Sequence, residues 1–232
     1  MFKKLINYFQ DFLFLIFPAH CEACGNVLFK NEEVVCIKCL YELPRTKFSF
    51  DKDNPILNLF AGRLPLTSAT ALYSFQKDSK FRKLLHHLKY KNKPEIGILL
   101  GKELASEMKL SNNFNDIDFI IPVPLHPKRK KWRGYNQSEE IAKGISAVLN
   151  IPVAADNFIR NVETETQTKK TKDERWQNVS GKFKIVDEKL FENKHLLLVD
   201  DVLTTGATLE ACGEMLVQIK GVKLSVGVLA KV

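Results

Sequence analysis

The stretch His195-Leu196-Leu197-Leu198-Val199-Asp200-Asp201-Val202-Leu203-Thr204-Thr205-Gly206-Ala207-Thr208-Leu209 decides the fold of this 232-residue chain. Leu196 to Val199 is an unbroken apolar run, the pattern of a strand buried on both faces of a parallel sheet. Two adjacent carboxylates follow, and then a loop of threonines around Gly206. Leu209, Cys212, Leu216 and Ile219 recur at helical spacing, and Gly221 is placed to end that helix. This order of parts predicts an α/β protein whose ligand crevice lies outside the carboxyl end of the strand.

The residue types say what such a crevice would hold. The loop runs into a helix N-terminus, where free N–H groups and the positive dipole end favour an anion. Gly206 permits positive φ or close approach, and Thr204, Thr205 and Thr208 add hydroxyl donors. Asp200 and Asp201 would repel a phosphate at contact distance, but suit sugar hydroxyls or a metal a few ångströms away. A diol at the acids and a phosphate at the loop is the layout of a ribose 5-phosphate. A Walker A loop is excluded because Ala207 stands where its lysine belongs, and a dinucleotide fingerprint because only one glycine is present. Adjacent acids alone would signify no more than a strand with an acidic end. The combination with the loop, strand and helix is what points to a site.

Two basic stretches accompany it. Ile117 to Ile121 reads as a short strand stopped by Pro122-Val123-Pro124. Lys128, Arg129, Lys130, Lys131 and Arg133 then crowd six positions, and Asn136 with Glu139 starts a helix whose buried stripe is Ile141, Ile145 and Val148. The run 128–133 reads either as a solvated loop or as a polyanion-binding loop facing the same crevice. Residues 160–183 carry Arg160, Lys169, Lys170, Lys172 and Arg175 with few large apolar groups. They read as a surface loop or as a basic lid over a pyrophosphate leaving group.

Near the start, Cys21-Glu22-Ala23-Cys24 and Cys36-Ile37-Lys38-Cys39 form two C-x2-C pairs separated by eleven residues. Four thiolates at this spacing can close a tetrahedral structural zinc site, and that reading is favoured over disulfides or a redox pair. Cys212 falls on the apolar face of the last helix and reads as core. His86 and His87 read as helix-face residues rather than ligands.

With these segments assembled, Val199 to Thr208 resembles the phosphoribosyl pyrophosphate (PRPP) motif of type I phosphoribosyltransferases. The resemblance implies that Asp200 and Asp201 hold the ribose hydroxyls and that Thr204, Thr205, Gly206, Ala207 and Thr208 cradle the 5-phosphate, with Mg²⁺ entering alongside PRPP. Taken whole, from about Cys21 to Lys231, the chain resembles the ComF family of competence-related proteins. The two cysteine pairs, Pro122-Val123-Pro124-Leu125, Arg133-Gly134-Tyr135-Asn136-Gln137, Thr166 with Gln167, and Arg175 with Asn178 carry that likeness. Tyr135 stands where phenylalanine is common. The resemblance implies a type I phosphoribosyltransferase fold, a parallel sheet flanked by helices, with a small N-terminal zinc module. It assigns no general base. Two functions are expected from it: phosphoribosyl transfer to an unnamed acceptor, or non-catalytic single-stranded DNA binding or nucleotide sensing linked to competence and DNA uptake. Pro122, Val123, Pro124, Lys128, Arg129, Arg133, Lys169, Lys170 and Arg175 are the pyrophosphate and lid candidates.

Composition agrees with an α/β protein. Hydrophobic residues make up 45% and the formal net charge is +8, which favours phosphorylated ligands or nucleic acid without deciding between them. The expected division is an N-terminal helix and zinc module over 1–45, a linker over 46–66, and the phosphoribosyltransferase-like domain over 67–232. The longest apolar run near the start, Phe12 to Phe17, is far below the roughly 20 residues of a spanning helix, and no small-residue cleavage site follows it. That segment is read first as a helix packed on the zinc module and second as an amphipathic helix on a membrane face. The expected location is cytoplasmic, with peripheral contact at the inner membrane face under the second reading. Competence-machinery proteins are the expected protein partners.

Overall fold

The computed structural model of the chain describes residues 16–76, 79–160 and 183–232. Its centre is a four-stranded sheet built from β1 (Ser68–Ser74), β2 (Phe119–Pro122), β5 (His195–Leu203) and β6 (Lys223–Lys231), in the order β1-β6-β5-β2. Every pairing in it is parallel. Val153 adds a single parallel bridge to Ile120 beyond β2. A separate two-stranded antiparallel ribbon, β3 (Phe158–Arg160) with β4 (Phe183–Ile185), stands beside the sheet.

The apolar run of β5 is explained by what covers it. Leu197 and Val199 join one buried cluster with Leu84, Leu88, Leu104, Met108 and Ile141. Leu196 and Leu198 join the other, with Ile56, Phe60, Leu209, Cys212 and Leu216. Alternate side chains thus enter opposite layers, and both layers are closed. Helix α1 (Ile37–Glu42) lies at the second cysteine pair; helices α3 (Lys80–Tyr90), α4 (Pro94–Ser111) and α6 (Gln137–Leu149) supply the first layer, and α2 (Pro55–Phe60) and α7 (Ala207–Leu216) supply the second. Helices α4 and α6 meet backbone to backbone. A Cβ on Gly101 would fall 2.2 Å from the Ile141 carbonyl oxygen, and one on Gly144 would fall 2.2 Å from that of Ile98.

Two local expectations are revised. The helix after the acidic strand stops at Leu216 rather than at Gly221. Turns bonded from Ile219 to Leu216 and from Val222 to Ile219 take over, and Gly221 (φ +71°) closes against Asn193. The run 128–133 is no loop but helix α5 (Pro127–Arg133). Proline at its first position, a His126 ring nitrogen accepting from the Lys128 amide at 3.2 Å, and Gly134 at φ +84° give it a start and a stop. Residues 46–66, expected as a linker, carry local structure of their own. A 3₁₀ turn spans Phe48–Phe50 and α2 buries Ile56 and Phe60. Asn54 caps α2 with its Oδ1 and donates its Nδ2 to the Ala69 carbonyl at 2.8 Å.

At the end of the sheet away from the acids, Asp116, His195 and Ser225 form a line. The ring nitrogens of His195 lie 3.0 Å from Asp116 Oδ1 and 2.8 Å from Ser225 Oγ. The order imitates a hydrolytic triad, but Ser225 is fully buried and its Oγ accepts the Ser68 amide. It is a brace between strand starts.

Candidate functional site

The acid pair lies at the carboxyl end of β5, as the sequence pattern requires, although the strand runs on to Leu203. Asp200 Oδ1 accepts from the Ser138 hydroxyl and from the Asp201 amide, each at 2.9 Å. Burial, and then the neighbouring Asp201 carboxylate, push the Asp200 carboxyl up to about 7, against the pull of those two donors and of Lys89. Asp201 Oδ2 pairs with Lys89 Nζ at 2.8 Å.

The loop that follows turns on Gly206, whose φ of +83° begins α7 without a side-chain cap. Thr204, Thr205, Ala207 and Thr208 are exposed around it. A small cavity of about 40 Å³ is lined by Asp200 and residues 202–209. The segment 46–66 supports the loop from behind. A Cβ on Gly206 would strike the Phe60 ring at 2.9 Å, and Arg63 Nε donates to Glu210 in the first turn of α7 at 2.7 Å. The loop is therefore held open toward solvent, with helix N–H groups available to an anion.

A second cavity, of about 200 Å³, shares Asp200 and Thr208 with the first. Its wall brings together Val123, Pro124, Arg129 and Arg133 with both acids. Among the described residues, Arg133 Nε and Gln137 Nε2 are buried donors without a hydrogen-bond partner, and both residues line this wall. Buried donors of this kind call for an acceptor. Of the other sequence candidates, Pro122 is buried in β2 and lies outside that lining, and Lys128 sits on α5 outside it as well. Lys169, Lys170 and Arg175 lie outside the described residues. A larger cavity, of about 350 Å³, opens beside Ser49, Ser68 and Asn113 at the amino end of β1 and contains none of the candidate residues.

Sequence reasoning missed Lys89. It also missed Ser138, although the residue directly follows Arg133-Gly134-Tyr135-Asn136-Gln137. Arg160, placed by sequence in a loop, ends β3 and lines the cavity.

The four cysteines meet. The Sγ atoms of Cys21, Cys24, Cys36 and Cys39 lie within 4.8 Å of one another, with Cys24 and Cys36 at 3.9 Å. Tetrahedral zinc with Zn–S bonds of about 2.3 Å implies S···S edges of roughly 3.8 Å. The Cys36 amide points at Cys21 Sγ (3.3 Å) and the Cys39 amide at Cys36 Sγ (3.4 Å), as backbone donors around bound thiolates do. Burial would raise the Cys21 thiol, but the amides of Cys24, Cys36 and Ala23 outweigh it and hold it at about 7. The donor set fits a metal such as zinc.

A parallel sheet with an acidic strand end, a glycine-turned loop into a helix N-terminus and an arginine-lined cavity defines a class. Residues 96–231 match the phosphoribosyl transferase domain, and the chain belongs to that family. Its fold is the type I phosphoribosyltransferase fold. Its relatives are competence and DNA-utilization proteins. Competence protein F of Haemophilus influenzae is 33% identical over 138 residues, 57% of this chain and 60% of that protein. DNA utilization protein YhgH of Escherichia coli K12 is 29% identical over 138 residues, again 60% of its length. The chain thus spans about three fifths of these two relatives. Competence protein ComFC of Bacillus subtilis is 26% identical over 225 residues, 92% of this chain and 85% of that protein. Among solved structures, the glutamine PRPP amidotransferase of B. subtilis complexed with ADP and GMP aligns at 20% identity with a TM-score of 0.47, covering 63% of this chain and 30% of that one. No helix among the described residues is long and apolar enough to cross a membrane.

Proposed function

We propose that the chain binds PRPP across the two joined cavities and serves DNA uptake in a competence pathway, as the names of its relatives suggest. The observation that carries this is that Asp200 and Thr208 belong to both cavities, so one ligand can reach the phosphate loop, the acids and the arginine wall together. Asp200 and Asp201 would accept from the ribose hydroxyls, the amides of residues 205–208 would take the 5-phosphate, and Arg129, Arg133 and Arg160 would face the pyrophosphate. The carboxylate pair suits a hard cation, and Mg²⁺ bound with PRPP would supply neutralising charge for the pyrophosphate. Where transfer occurs, the C1–O bond breaks with its electron pair leaving on pyrophosphate. An acceptor nucleophile then bonds to C1 and gives up its proton. The division into a metal module (1–45), a connection (46–66) and the phosphoribosyltransferase domain (67–232) belongs to the same proposal, with the connection backing the phosphate loop.

Titration of PRPP with and without Mg²⁺ into wild type and Asp200→Asn/Asp201→Asn tests it. Saturable binding to wild type and loss of about tenfold or more in the variant is expected. Equal binding by both would remove the assignment.

One observation favours the second reading, single-stranded DNA binding. Helix α5 leaves Trp132 70% exposed beside Tyr90, itself 51% exposed, with the rings 5.8 Å apart and the Arg133 guanidinium 5.4 Å over Tyr90. Exposed aromatics among cations suit stacked bases. Neutralising Lys128, Arg129, Lys130 and Lys131 should flatten the salt slope of oligonucleotide affinity by about 0.7 for each phosphate the helix ceases to neutralise. An unchanged slope removes α5 from DNA binding.

A further inference from the structure

The four-cysteine module reaches the acid pair through a short chain of contacts. Glu22 stands between Cys21 and Cys24 in the first cysteine pair. Its carboxylate meets His87 Nδ1 at 2.7 Å and Lys93 Nζ at 2.8 Å. These two residues bracket the turn from α3 into α4. On the other side, the Tyr135 hydroxyl donates to the Leu88 carbonyl, and Arg133 lies over Tyr90. Residues 87 and 93 are thus held by Glu22, residue 88 by Tyr135 and residue 90 by Arg133. Lys89, in their midst, extends to Asp201 Oδ2 at 2.8 Å and lines the cavity with Arg129, Arg133 and Arg160.

The chemistry of that position is specific. An ammonium against one of two adjacent carboxylates relieves their repulsion. Only one of its three N–H groups is needed for Asp201, so the others can serve a phosphate oxygen or a sugar hydroxyl in the same cavity. A lysine side chain loses much rotamer freedom when it is held in one geometry. A backbone fixed on every side of it is what makes such a contact dependable.

We propose that Lys89 is a ligand-contacting residue of the phosphosugar pocket, and that the four-cysteine module positions it through the grip of Glu22 on His87 and Lys93, so that metal loading and phosphosugar binding favour one another. This rests on the PRPP reading above. Favouring in one direction requires favouring by the same factor in the other.

The test uses the full zinc-loaded chain, with zinc content and melting temperature measured for every variant. PRPP with Mg²⁺ is titrated calorimetrically into wild type, Lys89→Ala, Lys89→Arg, Glu22→Gln and Glu22→Gln/Lys89→Ala, with Asp200→Asn/Asp201→Asn as reference. Lys89→Ala should weaken binding by about tenfold or more and Lys89→Arg should restore part of it. Glu22→Gln, which keeps all four cysteines, should weaken binding about fivefold and add nothing once Lys89 is gone. Saturating PRPP should slow loss of zinc to a chelator in wild type but not in Lys89→Ala. Should Glu22→Gln fail to fold, Glu22→Asp takes its place in the same cycle. Equal binding by wild type and the acid-pair reference would overturn the PRPP reading itself. If the acid pair matters but Lys89→Ala binds like wild type, or Glu22→Gln costs the same with and without Lys89, that reading stands and this proposal falls.

Discussion

The Ser138 hydroxyl stands 2.9 Å from Asp200 Oδ1, tying the first turn of α6 to the end of β5. This bond helps hold down a carboxyl that burial and Asp201 drive up to about 7. Under the proposed binding mode, the ionised form is the one that would accept from ribose hydroxyls. PRPP affinity should therefore rise with pH through about 7 and flatten above it. Ser138→Ala removes a donor to the ionised form, so its affinity profile should shift to higher pH, with a loss of about tenfold near neutrality. Calorimetric titrations across the range would show this. Superimposable profiles would mean that Ser138 does not tune the acid.

The same acid makes a prediction about stability. Its folded-state value lies above the ordinary 3.8, so the folded chain holds this proton more tightly than the unfolded one. Stability from this group falls as pH rises from about 4 to about 7, by roughly 4 kcal/mol at most. Asp200→Asn has no such proton to lose. Its melting temperature should exceed that of wild type at about pH 8 and approach it at about pH 4. A variant that melts below wild type at the alkaline end would contradict the assignment.

Replacing Gly206 by alanine should harm the 204–208 loop twice over. The backbone there has φ of +83°, and the added methyl would meet the Phe60 ring at 2.9 Å. A stability loss of about 1–3 kcal/mol is expected from the strain, with weaker binding of ribose 5-phosphate. Adding Phe60→Leu should recover the steric part and leave the backbone part. Complete recovery would show that φ at this position is unimportant.

The cysteine cluster predicts one zinc per chain by elemental analysis. Cys36→Ser should lose the metal and melt at a markedly lower temperature. The reason is that Leu28, Val34, Val35 and Leu43 form a small apolar set continuous with Leu84 and Leu88, and structural zinc binding is itself folding energy. Full stability without metal would make the four thiols mere neighbours.

What could be read in advance follows from how far each signal travels along the chain. The buried strand, its acidic end, Gly206 and the paired cysteines are local patterns, and each stands where it was expected. Segment 46–66 was opaque because its helix is only Pro55–Phe60; six residues show no period. The basic run hid a helix because nearly every residue in it is charged, leaving no apolar stripe, and only its proline and glycine mark the ends. Lys89 and Ser138 acquire their meaning from Asp201 and Asp200, more than sixty positions away. No spacing rule links them, since the topology brings them together.

The brace of Asp116, His195 and Ser225 has its own consequence. Ser225 Oγ also receives the amide of Ser68, so one hydroxyl staples the beginnings of β1, β5 and β6. From that margin the ladder of β5 on β6 runs from His195 opposite Lys223 to Leu203 opposite Lys231, so the strand end that bears the carboxylates is anchored from the far side of the sheet.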